Sequence, residues 1–149
     1  MAVNTGDTRF RKLDVDNVAE TNFQDDGTDD FSSSFNERDV ENLLNSGKNT
    51  EALSYILQNA PIGSKNQALK DAALALALRS MSNLKSAQID EFVGGLKQEQ
   101  LDLLMKYIYR GFQSPKDIAP AALLAWHEKV YAKGSISSIV RVLVDSKSV

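Results

Sequence analysis

One stretch constrains this chain more than any other: Ala72-Ala73-Leu74-Ala75-Leu76-Ala77-Leu78, seven apolar residues in a row. Alternating Ala and Leu has the period of a strand. Ala, however, is the best helix former and a poor strand former, so the composition favours a helix. A helix that is apolar on every side is a buried central one, and other helices have to surround it. Seven residues fall far short of the roughly 20 that a membrane span needs. The rest of the chain must therefore supply amphipathic helices that wrap this one.

Those helices can be read from their stops and periods. Ser34-Phe35-Asn36-Glu37 has capping-box spacing, with a hydroxyl to accept from a backbone N–H and a Glu three residues on to reach back. Val40, Leu43 and Leu44 follow at helical spacing, and Gly47 suits the C′ position. A second helix runs near 50–59, with Leu53, Ile56 and Leu57 on one face and Pro61 as its stop. Ser64-Lys65-Asn66-Gln67 is another capping-box candidate and opens the central helix, which reaches about Met81. Ser86 starts a helix with Ile89, Phe92 and Val93 facing inward, ended by Gly94-Gly95. The helix over about 97–112 carries Leu101, Leu104, Met105, Ile108 and Tyr109. The next, about 118–133, has Pro120 in its first turn, Leu123, Trp126 and Val130 on one stripe, and Gly134 as its stop. A last one, about 135–144, carries Ile136, Ile139, Val140 and Leu143 as its apolar set. The expected class is all-α: about seven helices with short links, which implies antiparallel neighbours in a compact helical array or superhelical stack.

Before residue 34 the texture differs. Residues 1–33 are rich in Asp, Asn, Thr, Ser and Gly, with apolar residues scattered. Such a segment buries too little to repay the entropy of ordering it. The expected organisation is a disordered or extended acidic arm, 1–33, and a helical core domain, 34–149. Charge divides along the same line. Residues 1–34 hold eight acids against three bases, a balance of −5, whereas the remainder holds twelve acids and fourteen bases, a balance of +2. Nucleic acid is not an expected partner, because no concentrated basic surface is encoded. No apolar run approaches a membrane span, and the N-terminus lacks the apolar stretch of a signal peptide. A soluble cytoplasmic protein is the expectation.

Catalytic and ligand motifs fail one by one. With no cysteine there is neither a disulfide framework nor a thiolate metal site. The single histidine, His127, lies in Trp126-His127-Glu128-Lys129, and a helical zinc motif needs a second His where this chain has Tyr131. No Gly-x-Ser-x-Gly elbow presents a nucleophile. Gly94-Gly95 is not followed by Gly-Lys-Ser/Thr, so it reads as a helix stop and not a phosphate loop. In the acidic run Asp25-Asp26-Gly27-Thr28-Asp29-Asp30, a calcium loop with Gly27 sixth would put Ser33 where the bidentate Glu belongs. No cofactor or metal is expected, and a solvated acidic linker is the better reading of that run.

Two features remain unabsorbed. Lys106-Tyr107-Ile108-Tyr109-Arg110-Gly111-Phe112 concentrates aromatics and bases. Tyr107 and Tyr109 lie about 200° apart on a helix, so one is core and the other is free to anchor an interface beside Lys106 or Arg110. The second is the island Arg9-Phe10-Arg11-Lys12-Leu13-Asp14-Val15-Asp16, whose Phe10 has no core to join within the arm.

Three blocks resemble subunit 5, the smallest subunit family of the actin-related protein 2/3 complex. They are the Arg9–Asp16 island; Asp102-Leu103-Leu104-Met105-Lys106-Tyr107-Ile108-Tyr109-Arg110-Gly111-Phe112-Gln113-Ser114-Pro115; and Leu123-Leu124-Ala125-Trp126-His127-Glu128-Lys129 through Gly134 to Ser138-Ile139-Val140-Arg141-Val142-Leu143. A weaker likeness covers Pro61-Ile62 to Lys70-Asp71, while the stretch from Gln24 to Ser34 departs in detail. The resemblance implies a non-catalytic all-α scaffold subunit of an actin nucleator that starts new filaments as branches, in the cytoplasm and the actin cytoskeleton. It implies a body that docks on the β-propeller subunit and near subunit 4, and an arm that reaches the actin-related protein 2 subunit, with actin met only through the complex. Nucleotide binding would belong to the actin-related subunits. The expected arm contacts are Arg9, Phe10, Arg11, Lys12 and Asp14; the expected body contacts are Lys106, Tyr107, Tyr109, Arg110, Trp126 and Arg141. The competing reading is a small helical enzyme or ligand-binding domain built around Tyr107, Tyr109, Trp126 and His127.

Overall fold

The computed structural model describes residues 35–113, 118–145 and 149. The arm, and with it Arg9, Phe10, Arg11, Lys12 and Asp14, lies outside the described residues. Among those described there are six helices and no strand: α1 Glu37–Asn45, α2 Asn49–Gln58, α3 Gln67–Ser82, α4 Ser86–Gly95, α5 Gln98–Gln113 and α6 Pro120–Val144. The backbone of α6 breaks at Ser135, with φ 56° and ψ −168°. The described residues thus hold seven helical segments, in keeping with the about seven that the periodicity predicts. No helix among the described residues is long and apolar enough to cross a membrane.

The helix starts differ from expectation in a consistent way. The Asn36 side chain caps α1, accepting from the Arg38 N–H at 3.2 Å, and Ser34 lies outside the described residues. At α3 the cap is Asn66, which accepts from the Leu69 N–H at 3.4 Å. Ser64, the predicted cap, accepts the Asn66 N–H itself at 3.1 Å and so shapes the turn before the helix. Asn ranks with Ser as a cap residue, and here it sits nearer the first inward-facing position. The stops match the sequence. Gly47 at φ 73° closes α1: its N–H reaches the Leu44 carbonyl at 3.0 Å and the Lys48 N–H reaches Leu43 at 2.9 Å, a complete Schellman pair. Helix α2 ends two residues before Ala60, whose α conformation Pro61 disfavours.

Helix α3 is the central element. It packs against α1, α2, α5 and α6, and Ala73, Leu74, Leu76, Ala77, Leu78 and Met81 are all buried. Ser80 is also enclosed, and its hydroxyl donates to the Leu76 carbonyl at 2.7 Å. Only Ala75 of the apolar run is exposed. The end of α3 is fixed by Trp126, fully buried, whose indole N–H donates to the Met81 carbonyl at 3.2 Å. That bond adds a side-chain donor to a carbonyl in the last turn of α3, which also accepts the Leu84 N–H at 3.4 Å. The same indole meets Phe92 edge-on at 6.2 Å, so one side chain ties α3, α4 and α6 together.

The pairing of α5 with α6 is the most extensive in the fold. Gly111 allows it: a Cβ there would stand 2.8 Å from Leu78 Cδ2 and 3.2 Å from both Leu123 methyls. Helix α4 is held to α6 by Lys133, whose ammonium donates to the carbonyls of Val93 at 3.0 Å, Gly94 at 2.6 Å and Leu96 at 2.8 Å. A cation there satisfies carbonyls left over at the end of α4 and opposes the negative end of its dipole.

Candidate docking surface

Tyr107 and Trp126, expected among the body contacts, are buried in the helical domain and offer no surface to a partner. This corrects the expectation for both. For Tyr107 it settles which of the two tyrosines is core. Burial also pushes the Tyr107 phenol up from its ordinary value, because the charged form would be poorly solvated.

Tyr109 is half-buried at the edge of α5. Its ring meets His127 edge-on at 5.7 Å and Phe112 edge-on at 6.3 Å, and its hydroxyl lies 3.5 Å from His127 Nε2. His127 in turn stacks on the exposed Tyr131 at 6.3 Å, with the rings nearly parallel. The structure therefore brings Tyr109 and His127 together, as the enzyme reading requires. It occupies their ring faces with other aromatics, and it removes Tyr107 and Trp126 into the core. Tyr131 was missed in the sequence; its spacing of four from His127 is the signal that could have found it. No three His, Asp or Glu side chains among the described residues converge to hold a metal.

The basic residues selected from the sequence are already engaged. Lys106 pairs with Asp145, and Arg110 Nη2 lies 3.8 Å from Asp71. Arg141 Nη1 donates to both oxygens of Asp102, at 3.2 and 3.0 Å. Gln98 extends this network, its amide reaching Asp102 at 2.9 Å and the Ser138 hydroxyl at 3.2 Å. On the far side of α6, Lys129 pairs with Asp90 at 2.9 Å; that hydrogen bond, then the carboxylate's charge, raises the lysine's pKa.

Lys106 and Arg141 frame a cleft of about 480 Å³ between α5 and the last turns of α6. Its apolar lining is Ile62, Leu103, Val140 and Val144; its charged lining adds Glu99, Asp102 and Asp145. Beside it lies the apolar set of the last segment, and most of it is exposed. Ile136, Val140 and Leu143 point to water, Ile139 and Val142 are half-buried against the core, and the fully buried residue is Ser138. The buried stripe of Leu123, Trp126 and Val130 continues across the break at Gly134 and Ser138, but both are small, so the large side chains Ile136, Val140 and Leu143 fall outside it.

A family model described as the ARP2/3 complex 16 kDa subunit (p16-Arc) matches residues 9–149. The chain belongs to this family. Subunit 5-C of the actin-related protein 2/3 complex of Xenopus laevis is 43% identical over 150 residues, covering all of both chains. The subunit 5-like protein of Rattus norvegicus is 40% identical over 153 residues, again covering all of both. Subunit 5 of Dictyostelium discoideum is 35% identical over 113 residues, which are 76% of this chain and 80% of that one. The p16-Arc match takes in both the Arg9–Asp16 island and the α5–α6 pair that forms the cleft.

Proposed function

We propose that this chain is a non-catalytic scaffold subunit of the actin-related protein 2/3 complex, acting in the cytoplasm on the actin cytoskeleton and supporting filament nucleation and branching. The observation that carries the reading is the p16-Arc match from residue 9 to residue 149, together with full-length relatives named as subunit 5. The helical body docks on the core of the complex, beside the β-propeller subunit and subunit 4, using the α5–α6 side where Tyr109, Arg110, Lys106 and Arg141 reach the surface. The arm tethers the actin-related protein 2 subunit. Phe10 fills an apolar pocket there, Arg9, Arg11 and Lys12 meet acidic groups around it, Asp14 adds a polar contact, and residues 24–34 act as spacer.

Chain length supports the tether. Some 33 residues at roughly 3.3 Å each reach at most on the order of 100 Å, enough to run from a docked body to a second protein. Once the body is bound, the island is held at high effective concentration, so weak contacts suffice. The test is a reconstituted complex carrying a deletion of residues 1–20. The body should still incorporate, while actin-related protein 2 dissociates more readily and branch nucleation falls. Phe10→Ala should reproduce part of this loss, and neutral substitutions at Asp29 and Asp30 little of it. Full nucleation with normal retention of actin-related protein 2 in the deletion would refute the tether.

A further inference from the structure

The last segment of α6 leaves four large apolar side chains in water: Ile136, Val140, Leu143 and Val144, at 65, 50, 73 and 78% exposure. Their spacings of four, three and one place them in one stripe about 100° wide and about 12 Å long. Val140 and Val144 also line the cleft against α5, so stripe and cleft form one continuous trough. The rim is electrostatically settled, with Arg141 on Asp102 and Lys106 on Asp145. Glu99, at the same rim, has no ion pair among the described residues.

We propose that this trough receives an amphipathic helix from a sibling subunit of the complex, one that sets apolar residues at i, i+3 or i+4, and i+7 into it and a lysine or arginine opposite Glu99. The proposal rests on the scaffold reading above and adds to it the face used and the chemistry of the occupant. Three features select that occupant. A channel between two helices has the shape that accepts a third, the usual mode of helix-in-groove recognition. The rim charges are neutralised within the chain, so an apolar partner strands no buried charge when it seats. The unpaired carboxylate then fixes the sign of the partner's polar edge. A small molecule in the cleft would leave Ile136 and Leu143 in water. A second copy would bring a second Glu99 and no uncommitted base from the trough, since Lys106 and Arg141 are already engaged.

The test measures binding of the full-length chain to a complex assembled without it. Leu143→Asp with Val144→Asp changes only exposed positions, so circular dichroism should stay that of the wild type. Affinity should fall by about thirtyfold or more, the loss expected for a central apolar anchor. Glu99→Lys should slow association several-fold at low salt, an effect that disappears at high salt. Ala75→Asp, on the exposed side of α3, should bind as the wild type does. A photo-crosslinker at position 143 should capture a helical peptide of a sibling subunit that contains a basic residue. Wild-type affinity in the Leu143→Asp, Val144→Asp variant overturns the proposal, as does capture of a strand or a loop. Self-association of the wild-type chain that this variant abolishes overturns it in favour of a second copy. A wild-type chain that does not bind the depleted complex at all removes the scaffold reading, and this inference with it.

Discussion

The break in α6 offers the sharpest test of how this sequence encodes its fold, because two adjacent residues have different jobs there. Ser135 has φ 56° and ψ −168°, a region essentially reserved for glycine, where another residue costs about 1–3 kcal/mol. Gly134 has no positive φ among the described residues, but a Cβ on it would stand 2.3 Å from Ser138 Oγ and 3.2 Å from Ser138 Cβ. The glycine is therefore needed for space, and the strain falls on its neighbour. Ser135→Gly should relieve the strain while adding about 0.5–1 kcal/mol of unfolded-state entropy, for a net stabilisation of about 1 kcal/mol. The lost contact between the Ser135 and Ser137 hydroxyls, 3.4 Å and exposed, subtracts little. For a chain of this size that is a rise of roughly 2–5 °C in Tm. Gly134→Ala should destabilise by about 1–3 kcal/mol, the usual cost of overpacking. Its cost should shrink when Ser138→Ala removes the clashing hydroxyl. Thermal and urea melts of the two single variants and the double close this cycle. A destabilising Ser135→Gly, or a Gly134→Ala penalty that Ser138→Ala leaves unchanged, would show that the glycine serves the backbone angle after all.

Two further outcomes follow from buried or cap-forming groups. Tyr107 keeps its proton more firmly in the fold than in the unfolded chain, where phenols titrate near ~10. The stability it contributes is therefore complete below about pH 10 and declines above it, by up to ~1.4 kcal/mol per pH unit. Tyr107→Phe should remove that component from urea titrations run between about pH 8 and 11, and equal slopes for both proteins would refute the argument. Lys133→Met keeps the aliphatic stem but strips the cation from three carbonyls at the end of α4. It should cost about 1–2 kcal/mol and speed hydrogen exchange in the last turn of that helix, whereas unchanged protection there would discount the cap.

Much of the helical layout was legible because its signals are local. An all-apolar run made of the strongest helix formers demands a central helix, and α3 is central. Gly47, Pro61 and Gly94-Gly95 stop helices for reasons contained in a few neighbouring residues. What could not be read depends on distant partners. The carbonyls that Lys133 caps lie 37 to 40 residues before it, and the carbonyl that Trp126 meets lies 45 before. Nothing near either side chain announces the contact. The two tyrosines of α5 show the boundary between the two cases. Helical geometry dictates that they diverge, but α5 is buried over so wide an arc, from Leu101 and Leu103 through Tyr107 and Ile108, that geometry alone does not choose between them.

The candidate site was the least legible part, for a reason that bears on what it does. Periodicity reports that a helix has an apolar face and is silent about which molecule covers it. The final segment of α6 departs from the ordinary arrangement: Ser138 and Gly134 are buried, Ile139 and Val142 are half-buried against the core, and Ile136, Val140, Leu143 and Val144 are left in water. In a self-sufficient domain the opposite choice would be favoured, since burying each such side chain is worth about 1.5–3 kcal/mol. Small residues on the inside have a consequence of their own. They let the α6 backbone approach Gln98 closely enough for its amide to reach the Ser138 hydroxyl at 3.2 Å, a contact that adds to the packing of Ile139 and Val142 against the core. A segment whose backbone is already held to the body leaves only the side-chain entropy of Ile136, Val140, Leu143 and Val144 to be lost when a partner arrives. On the docking proposed above, that arrangement costs stability in the free chain and recovers it on assembly.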